Sequence, residues 1–457
     1  MKKLIALFLC AVTVISMAAC SAKTEATEAA AEVKTEAAAT EAATEAAAAE
    51  TTAEKEPVKI RFIHWQTEIV DQFQGVIDEF QAQYPYITIE QEVIPTSDYS
   101  SVTAAYIAGN DALDIMGVEP WCDGARQTPG FYENNFLMSL EDLDCVKNYD
   151  PAMLNDNVRT DGVLTSLPIS QHTMFVFYNK DIFAQYGLEE PKTYSEFLHI
   201  CDVLTENGVK LMCAGEKDGW PLTNMACDTY WSALGREGGE SFYENIWNNG
   251  KTLEEVGYRD AVKPYYDITI RDGWYGDVMA TAYDDAPVIF ATGKCAMYAD
   301  GSWSSVQISD VEPDFEVGMF GLNVTDDPAV KFSPSKFGMT LGIASRTKYP
   351  EECRMFLEFL FEKERYTQFC NDCMYTPCEK DTVVADPMVQ KIVDFMATRD
   401  VVPFSALYSA RMKVADPNYS FDNEEAVQGI VMGEYDLDQA MASMQEQIDT
   451  NKKAARK

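Results

Sequence analysis

VKIRFIHWQTEIVDQFQGVIDEFQAQYPYITIEQEV (58–93) has the pattern of a strand, a helix and a second strand in immediate succession. Its first eight residues are strand-like. Apolar residues then recur every three or four positions from Ile69 to Tyr84, which defines one apolar helix face. Pro85 is expected to end this helix, and the alternation over 87–94 predicts the next strand.

The same pattern continues along the chain. A helix is expected over 98–109 and a short strand over 114–118. This β-α-β-α-β succession predicts parallel strands with right-handed crossovers. Because ligands bind beyond the carboxyl ends of such strands, 65–68 and 119–121 are expected to face a ligand. Later elements are a strand at 175–178, a helix opened by the capping box Thr193-x-x-Glu196 and ending near Asn207, and helices at 260–271, 350–361 and 437–448.

The composition excludes several function classes. The 457 residues carry a formal net charge of −38, which would repel a nucleic acid, so no nucleic-acid partner is expected. Three histidines argue against a His-rich metal centre, and no Gly-x-x-x-x-Gly-Lys-[Ser/Thr] loop is present to hold a nucleotide. The length suggests more than one domain, yet the sequence shows neither a long repeat nor an internal linker. The body is therefore either one large domain or two interleaved lobes.

The N-terminus MKKLIALFLCAVTVISMAAC (1–20) has the features of an export signal. Two lysines precede an apolar run over 4–17 that is too short to span a bilayer. Met17-Ala18-Ala19-Cys20 resembles a bacterial lipobox, with Met17 in place of the usual Leu. We therefore expect a signal peptide over 1–19 and a lipidated Cys20, the alternative being an ordinary signal with Cys20 incidental. The Ala/Thr/Glu-rich segment that follows is expected to be a disordered tether, so that the lipidated Cys and tether span 20–56.

One tight cysteine cluster, Cys370-x2-Cys373-x4-Cys378, is similar to a redox or metal motif. It lacks the second Cys or His pair of a structural zinc site. Buried inert thiols are the favoured interpretation, and one disulfide or a metal site are the alternatives. No metal and no cofactor are predicted.

Several blocks, taken in order, resemble the extracellular solute-binding proteins of bacterial carbohydrate ABC importers, a maltose-binding-protein-like family. Leu113 stands where that family usually has Pro. The matching blocks are IRFIHW (60–65), Ala108-Gly109 with Asp114-Ile115, DGVLTSLP (161–168), FYNKDIF (177–183), Pro191-x-Thr193-Tyr194-x-Glu196-Phe197, Phe290-x-x-Gly293-Lys294-x-Ala296-Met297, Gly301-Ser302-Trp303, 338–345 and PEECRMFLEFL (350–360).

The resemblance implies an α/β architecture, the type II periplasmic-binding-protein fold, with two interleaved lobes joined by hinge strands. Its block order places crossings near 171–173, 339–342 and Val383. Lobe 1 would comprise 57–171 and 341–383, and lobe 2 would comprise 172–340 and 384–457. The implied function is capture of an extracellular sugar or oligosaccharide and its delivery to ABC permease subunits. The protein would act as a monomer held by its lipid at the outer face of the cell membrane.

Carbohydrate sites combine flat rings, which cover sugar C–H faces, with carboxylates or amides, which accept hydrogen bonds from hydroxyls. The candidate rings are Trp65, Trp121, Trp303 and Tyr408, the last two also by the resemblance. The candidate polar contacts are Gln66, Glu68, Glu119, His172, Asp228 and Arg411. The alternatives are core packing for the rings, solvation for the carboxylates, a satisfied interface histidine for His172 and ion pairing for Arg411.

No catalytic residue is predicted, because nothing in the sequence singles out a pair of carboxylates. A surface-anchored glycoside hydrolase would need two of them at a defined separation. A binding protein for another solute, such as a polyamine, a polyol phosphate or a peptide, is the main alternative. Presentation of the ligand to a sensor kinase instead of a permease also stays open.

Overall fold

Two mixed β-sheets, each covered by helices, organise the chain in the computed structural model. The structure describes residues 56–109, 113–120, 131–132, 134–159, 162–222, 225, 229, 232–233, 241–242, 245–246, 249–403 and 424–455. Glu56–Lys457 forms one compact unit. Its described strands are β1 (Val58–His64), β2 (Ile87–Val93), β3 (Ile115–Val118), β4 (Ser166–Pro168), β5 (Gln171–Asn179), β6 (Met297–Gly301), β7 (Val317–Phe320), β8 (Phe332–Phe337), β9 (Thr340–Ile343) and β10 (Asp400–Pro403).

Helices connect and cover these strands. Short 3₁₀ turns lie at Asp144–Asn148, Glu216–Asp218 and Ser302–Ser304. The described α-helices are α1 (Val70–Gln83), α2 (Thr96–Gly109), α3 (Pro151–Asn157), α4 (Lys180–Gln185), α5 (Tyr194–Glu206), α6 (Tyr258–Thr269), α7 (Asp285–Ala291), α8 (Ser305–Asp310), α9 (Pro350–Leu360), α10 (Lys363–Asp372), α11 (Pro387–Ala397), α12 (Glu424–Val431) and α13 (Leu437–Ala455).

The first sheet has the order β2-β1-β3-β9-β4. β1 pairs in parallel with β2 and β3, which confirms the predicted parallel βαβαβ unit. β9 arrives from far along the chain and pairs antiparallel with both β3 and β4. Ile60, Phe62 and Ile63 of β1 are fully buried, as expected for a strand in the middle of a sheet covered on both faces.

α1 shows why the periodicity over 69–84 predicts a helix. Its buried face comprises Phe73, Val76, Ile77 and Phe80. The Phe73 ring packs edge-on against Phe62 of β1 at 5.1 Å, and Phe80 packs in the same way against Phe356 of α9 at 5.3 Å. α9, which follows β9 in the sequence, therefore completes the core around the first three strands.

The second sheet has the order β10-β8-β5-β6, with β7 paired to β5 beyond the end of β8. β5 is its central strand and is longer than the predicted 175–178. Val176 and Tyr178 lie in one hydrophobic cluster, whereas Phe175 and Phe177 lie in another. This alternation follows from the period of two along a strand and places a separate core on each face of the sheet.

The capping box at the start of α5 is only partly reciprocal. Thr193 accepts a hydrogen bond from the Glu196 amide at 3.2 Å, as predicted. The Glu196 carboxylate reaches back to the Lys192 amide at 2.6 Å, one residue before the expected partner. The other predicted helices are present with small shifts at their ends, the largest being α13, which continues to Ala455 instead of ending at 448.

The chain passes between the sheets through short segments that contact one another. Ile169 and Ser170 link β4 to β5, and Gly338 and Met339 link β8 to β9. The Ile169 amide donates to the Met339 carbonyl at 3.2 Å, and the Gly338 amide donates to the Ser170 carbonyl at 2.9 Å. The chain therefore forms two interleaved α/β lobes, named the first and second lobe after their sheets. The lobe limits given above stay a prediction.

No described helix combines the length and the apolar character needed to cross a lipid bilayer. Cys370, Cys373 and Cys378 are free thiols buried in the core of the first lobe, which favours packing over a disulfide or a metal site for this cluster.

Candidate functional site

A cleft of about 190 Å³ lies between the two sheets, next to the crossing segments. Residues of both lobes line it. They are Trp65, Gln66, Thr67, Glu68, Thr96, Glu119 and Met339 on the side of the first sheet, and His172, Trp220, Tyr283, Trp303, Lys336, Phe337 and Gly338 on the side of the second sheet and the crossing.

The first-lobe wall is formed where parallel strands end. Trp65, Gln66 and Glu68 directly follow β1, Thr96 follows β2, and Glu119 follows β3. Because the three strands are parallel, their carboxyl ends meet at one edge of the sheet. The structure thus places three of the predicted polar residues and one predicted ring at the edge where the strand order anticipates a ligand.

Close packing holds the Trp65 ring in position. The ring lies edge-on to Tyr99 of α2, with centroids 4.9 Å apart, and the Tyr99 hydroxyl donates to the Gly117 carbonyl at 2.7 Å. A Cβ at position 117 would lie 2.4 Å from the Met339 sulfur and 3.0 Å from the Trp65 ring. Gly117 is therefore needed for β3 to pass this close to the indole.

The second-lobe wall is built around Trp303. Its Nε1 donates to Asp300 Oδ2 at 3.2 Å, and the same oxygen accepts hydrogen bonds from Tyr298 and Ser304 at 2.7 and 2.6 Å. The indole folds back over Gly301, where a Cβ would lie 2.1 Å from the ring. Local contacts within and next to the Gly-Ser-Trp block thus fix the Trp303 indole at the cleft.

Three residues of this wall were not predicted. Trp220 and Tyr283 are half-buried, their ring centroids lie 4.5 Å apart, and Trp220 is 6.3 Å from Trp303. Lys336 is half-buried and places its Nζ 4.4 Å from the centre of the Trp303 ring. Trp220 and Tyr283 lie outside regular strands and helices, so periodicity gave no signal. For Lys336, the sequence signal that could have indicated a cleft position was a charged residue near the end of β8.

Carboxylates dominate the electrostatics around the cleft. Burial, with a smaller contribution from the nearby Asp284 and Asp300, raises the pKa of Glu68 from 4.5 to about 7. The Tyr375 hydroxyl opposes this rise by donating to Glu68 at 3.2 Å. Burial also raises the pKa of Asp300, against the hydrogen bonds that its side chain accepts. Lys336 provides a positive charge within this acidic surrounding.

His172 faces the cleft, but both its ring nitrogens have partners. Nε2 lies 2.7 Å from the Ser170 hydroxyl, and Nδ1 lies 2.9 Å from the Ser302 hydroxyl. Burial and, to a lesser extent, the positive charge of Lys336 together lower the pKa of His172 to about 3, so the ring is neutral at physiological pH. A ligand in this cleft would therefore meet the ring without a free nitrogen.

Four candidate site residues lie outside the described residues, as does the lipidation site. They are Trp121, Asp228, Tyr408 and Arg411, together with Cys20. The structure brings six of the ten candidates to one cleft, namely Trp65, Gln66, Glu68, Glu119, His172 and Trp303. Their roles in binding stay a prediction.

This arrangement is suited to holding a polyhydroxylated molecule. Indoles from both lobes present flat apolar surfaces, while carboxylates, an amide and an ammonium supply acceptors and donors at different angles. Within the described part of the chain, no group of three His, Cys, Asp or Glu residues is arranged to hold a metal ion.

The chain is similar in sequence to known solute-binding proteins. Residues 66–365 match the family of bacterial extracellular solute-binding proteins. The multiple sugar-binding protein of Streptococcus mutans is 22% identical over 321 residues, which cover 67% of this chain and 72% of that protein.

Two solved structures share the fold. The solute-binding protein RafE in complex with raffinose superimposes with a TM-score of 0.74 at 16% identity, covering 88% of this chain and all of that one. A chitin oligosaccharide binding protein gives a TM-score of 0.74 at 19% identity, covering 87% of this chain and all of that one. These likenesses confirm the expected type II periplasmic-binding-protein fold. The family match over residues 66–365, more than half of the chain, shows that the chain belongs to the family of bacterial extracellular solute-binding proteins.

Proposed function

We propose that this protein captures an extracellular sugar or oligosaccharide in the interlobe cleft and delivers it, chemically unchanged, to an ABC permease. The observation that carries the proposal is the convergence of Trp65 and Trp303, one from each lobe, on a cleft edged by Glu68 and Glu119. The sugars in the names of the relative and of the two structures support the same ligand class.

Movement of the lobes fits this function. Trp65 and Trp303 expose only 7% and 6% of their surfaces, so a ligand would reach their faces when the lobes part. A sugar that then contacts both walls favours the closed arrangement, because it gains contacts there that it lacks in the open one. At the rim, Thr67 donates to Asp284 across the cleft at 3.2 Å, which shows how closely the lobes already approach.

A transport role requires binding without bond cleavage. Two of the carboxylates near the cleft have a structural role, since Glu68 accepts a hydrogen bond from Tyr375 and Asp300 accepts one from Trp303. The alternative of a polyamine, a polyol phosphate or a peptide finds less support in the indole-lined walls and in the sugar-binding relatives. We therefore assign no catalytic step to this protein, and we expect it to work as a monomer.

We also propose that the chain is a lipoprotein anchored at the outer face of the cell membrane through Cys20. The lipobox-like residues 17–20 and the extracellular family support this placement. The acyl chains of a lipidated cysteine would hold the protein near its permease, since each buried methylene adds about 0.8 kcal/mol to membrane attachment.

A thermal-shift screen of the purified protein against mono- and oligosaccharides, polyols and polyamines should raise Tm with a sugar, because a ligand at 100 times its Kd stabilises by about 2.7 kcal/mol. Chromatography of the same mixture should return the sugar uncleaved. A shift with polyamines alone, or released hydrolysis products, would contradict the proposal.

Removal of the Trp303 ring should weaken that sugar's binding at least tenfold, about 1.4 kcal/mol, by calorimetry. Stacking and apolar contact are lost together in Trp303→Ala, whereas Trp303→Phe keeps a ring and should retain more affinity. Trp274→Ala serves as the control, because Trp274 packs on the second-lobe core away from the cleft lining. Equal affinity of Trp303→Ala and wild type would exclude this ring from the site.

Sugar affinity should rise by about fivefold between pH 6 and pH 8, because ionised Glu68 accepts stronger hydrogen bonds than the neutral acid. The change should centre near pH 7, the raised pKa of Glu68, and disappear in Glu68→Gln. Without ligand, Glu68 should lower the free energy of unfolding progressively as pH rises from 4.5 to about 7. In this range the unfolded state releases the proton that the folded state still holds. An unchanged pH profile in Glu68→Gln would assign the effect to another group.

The lipid anchor is tested by substitution in the export segment. Cys20→Ala should move the protein from the membrane fraction to the medium of an expressing bacterium, because the acyl chains have no attachment point. Cys10→Ala is the matched control, since Cys10 lies in the apolar run expected to be removed. Retention of Cys20→Ala in the membrane fraction would show that the anchor lies elsewhere.

A further inference from the structure

His172 lies where the lobe crossings meet. Its ring nitrogen Nε2 bonds to Ser170 in the first crossing, and a Cβ on Gly338 in the second crossing would lie 2.7 Å from that nitrogen. The ring also packs edge-on against Tyr375 at 4.7 Å, beside the hydrogen bond from the Gln171 amide to the Thr376 carbonyl. One side chain, 1% exposed, thus touches the segments through which the lobes are joined.

The other side of the same ring faces the cleft wall. Nδ1 bonds to Ser302, the residue between Gly301 and Trp303, and the ring lies edge-on to the Trp303 indole at 5.5 Å. Ser302 is 1% exposed, so this bond forms in a buried position where no water replaces it easily. His172 therefore links the crossing to the segment that carries the second-lobe indole.

Because the ring is neutral, its two nitrogens have opposite hydrogen-bonding roles. A neutral imidazole has one N–H and one bare nitrogen, so one serine accepts a hydrogen bond from the ring while the other donates to it. Loss of either serine hydroxyl would leave a buried ring nitrogen without its partner and free the ring to reorient. The two hydrogen bonds therefore depend on each other, although Ser170 and Ser302 lie 132 positions apart in the chain.

We propose that His172 is a positioning residue that couples movement at the lobe crossing to the placement of the Trp303 ring. This inference rests on the proposed function in taking a sugar as the ligand of the cleft. His172 would keep the Trp303 indole in a fixed position relative to the first lobe as the lobes move, without itself donating a hydrogen bond to the ligand. Ser170, which is not part of the cleft lining, is then a residue that controls affinity from outside the site.

Ser170→Ala tests the coupling without altering a cleft residue. By calorimetry with the sugar found in the screen, it should weaken binding by about three- to tenfold, the equivalent of one lost hydrogen bond. Hydrogen exchange of the ligand-free protein should become faster over 301–304, on the far side of His172 from the substitution. A purely structural role would lower the unfolding midpoint but leave both the affinity of the folded protein and this local exchange unchanged.

Ser166→Ala is the matched control. Ser166 is also buried and also bonds to a hydroxyl, that of Thr340 at 2.8 Å, but it does not pair with His172. His172→Asn, which keeps a polar atom near the Nδ1 position, should bind more tightly than His172→Leu.

Wild-type affinity and wild-type exchange in Ser170→Ala would overturn the proposal, as would equal effects in Ser166→Ala. If no sugar binds the wild-type protein, the proposed function is contradicted, and the exchange measurement alone decides the role of His172.

Discussion

The contact between the crossing segments determines where the cleft can form. Two backbone hydrogen bonds, Ile169 to Met339 and Gly338 to Ser170, hold the links β4–β5 and β8–β9 side by side. Since each link is only two residues long, the two sheets are brought together at this point. The carboxyl ends of β1, β2 and β3 then face the segment around Trp303, and neither wall forms the site alone.

Small residues make this close approach possible. Gly338 leaves room for the Ser170 hydroxyl and the His172 ring, and Gly117 and Gly301 do the same for the two indoles. A side chain at any of these positions would need its neighbours to move, because a Cβ would come within 2.4 Å of another atom. Packing thus holds both rings in place, and preformed rings of this kind would reduce the entropy that ligand binding must overcome.

The sequence anticipated the parts of the site that follow from local patterns. Periodicity around Phe73 and the strand-like run at 58–65 placed β1 and α1, and the rule for parallel strands then pointed to Glu68 and Glu119. Trp220 and Tyr283 were not predicted as cleft residues because nothing in their local sequence shows which loop folds over the cleft. The pairing of His172 with Ser302 could not be predicted for a related reason, since Ser302 lies 130 residues away and only the three-dimensional fold brings it near.

The distribution of buried charges around the cleft bears on how an acidic protein can bind a ligand there. Most of the negative charge can be solvated at the surface, but Glu68 and Asp300 lie where burial opposes ionisation, as their raised pKa values show. Lys336 lowers the pKa of Asp300 and lies over Trp303. It therefore offsets part of the cost of ionising Asp300. A hydroxyl that enters the cleft would find in Glu68 an acceptor that burial has left poorly hydrated, and a new hydrogen bond there replaces less water than it would at the surface.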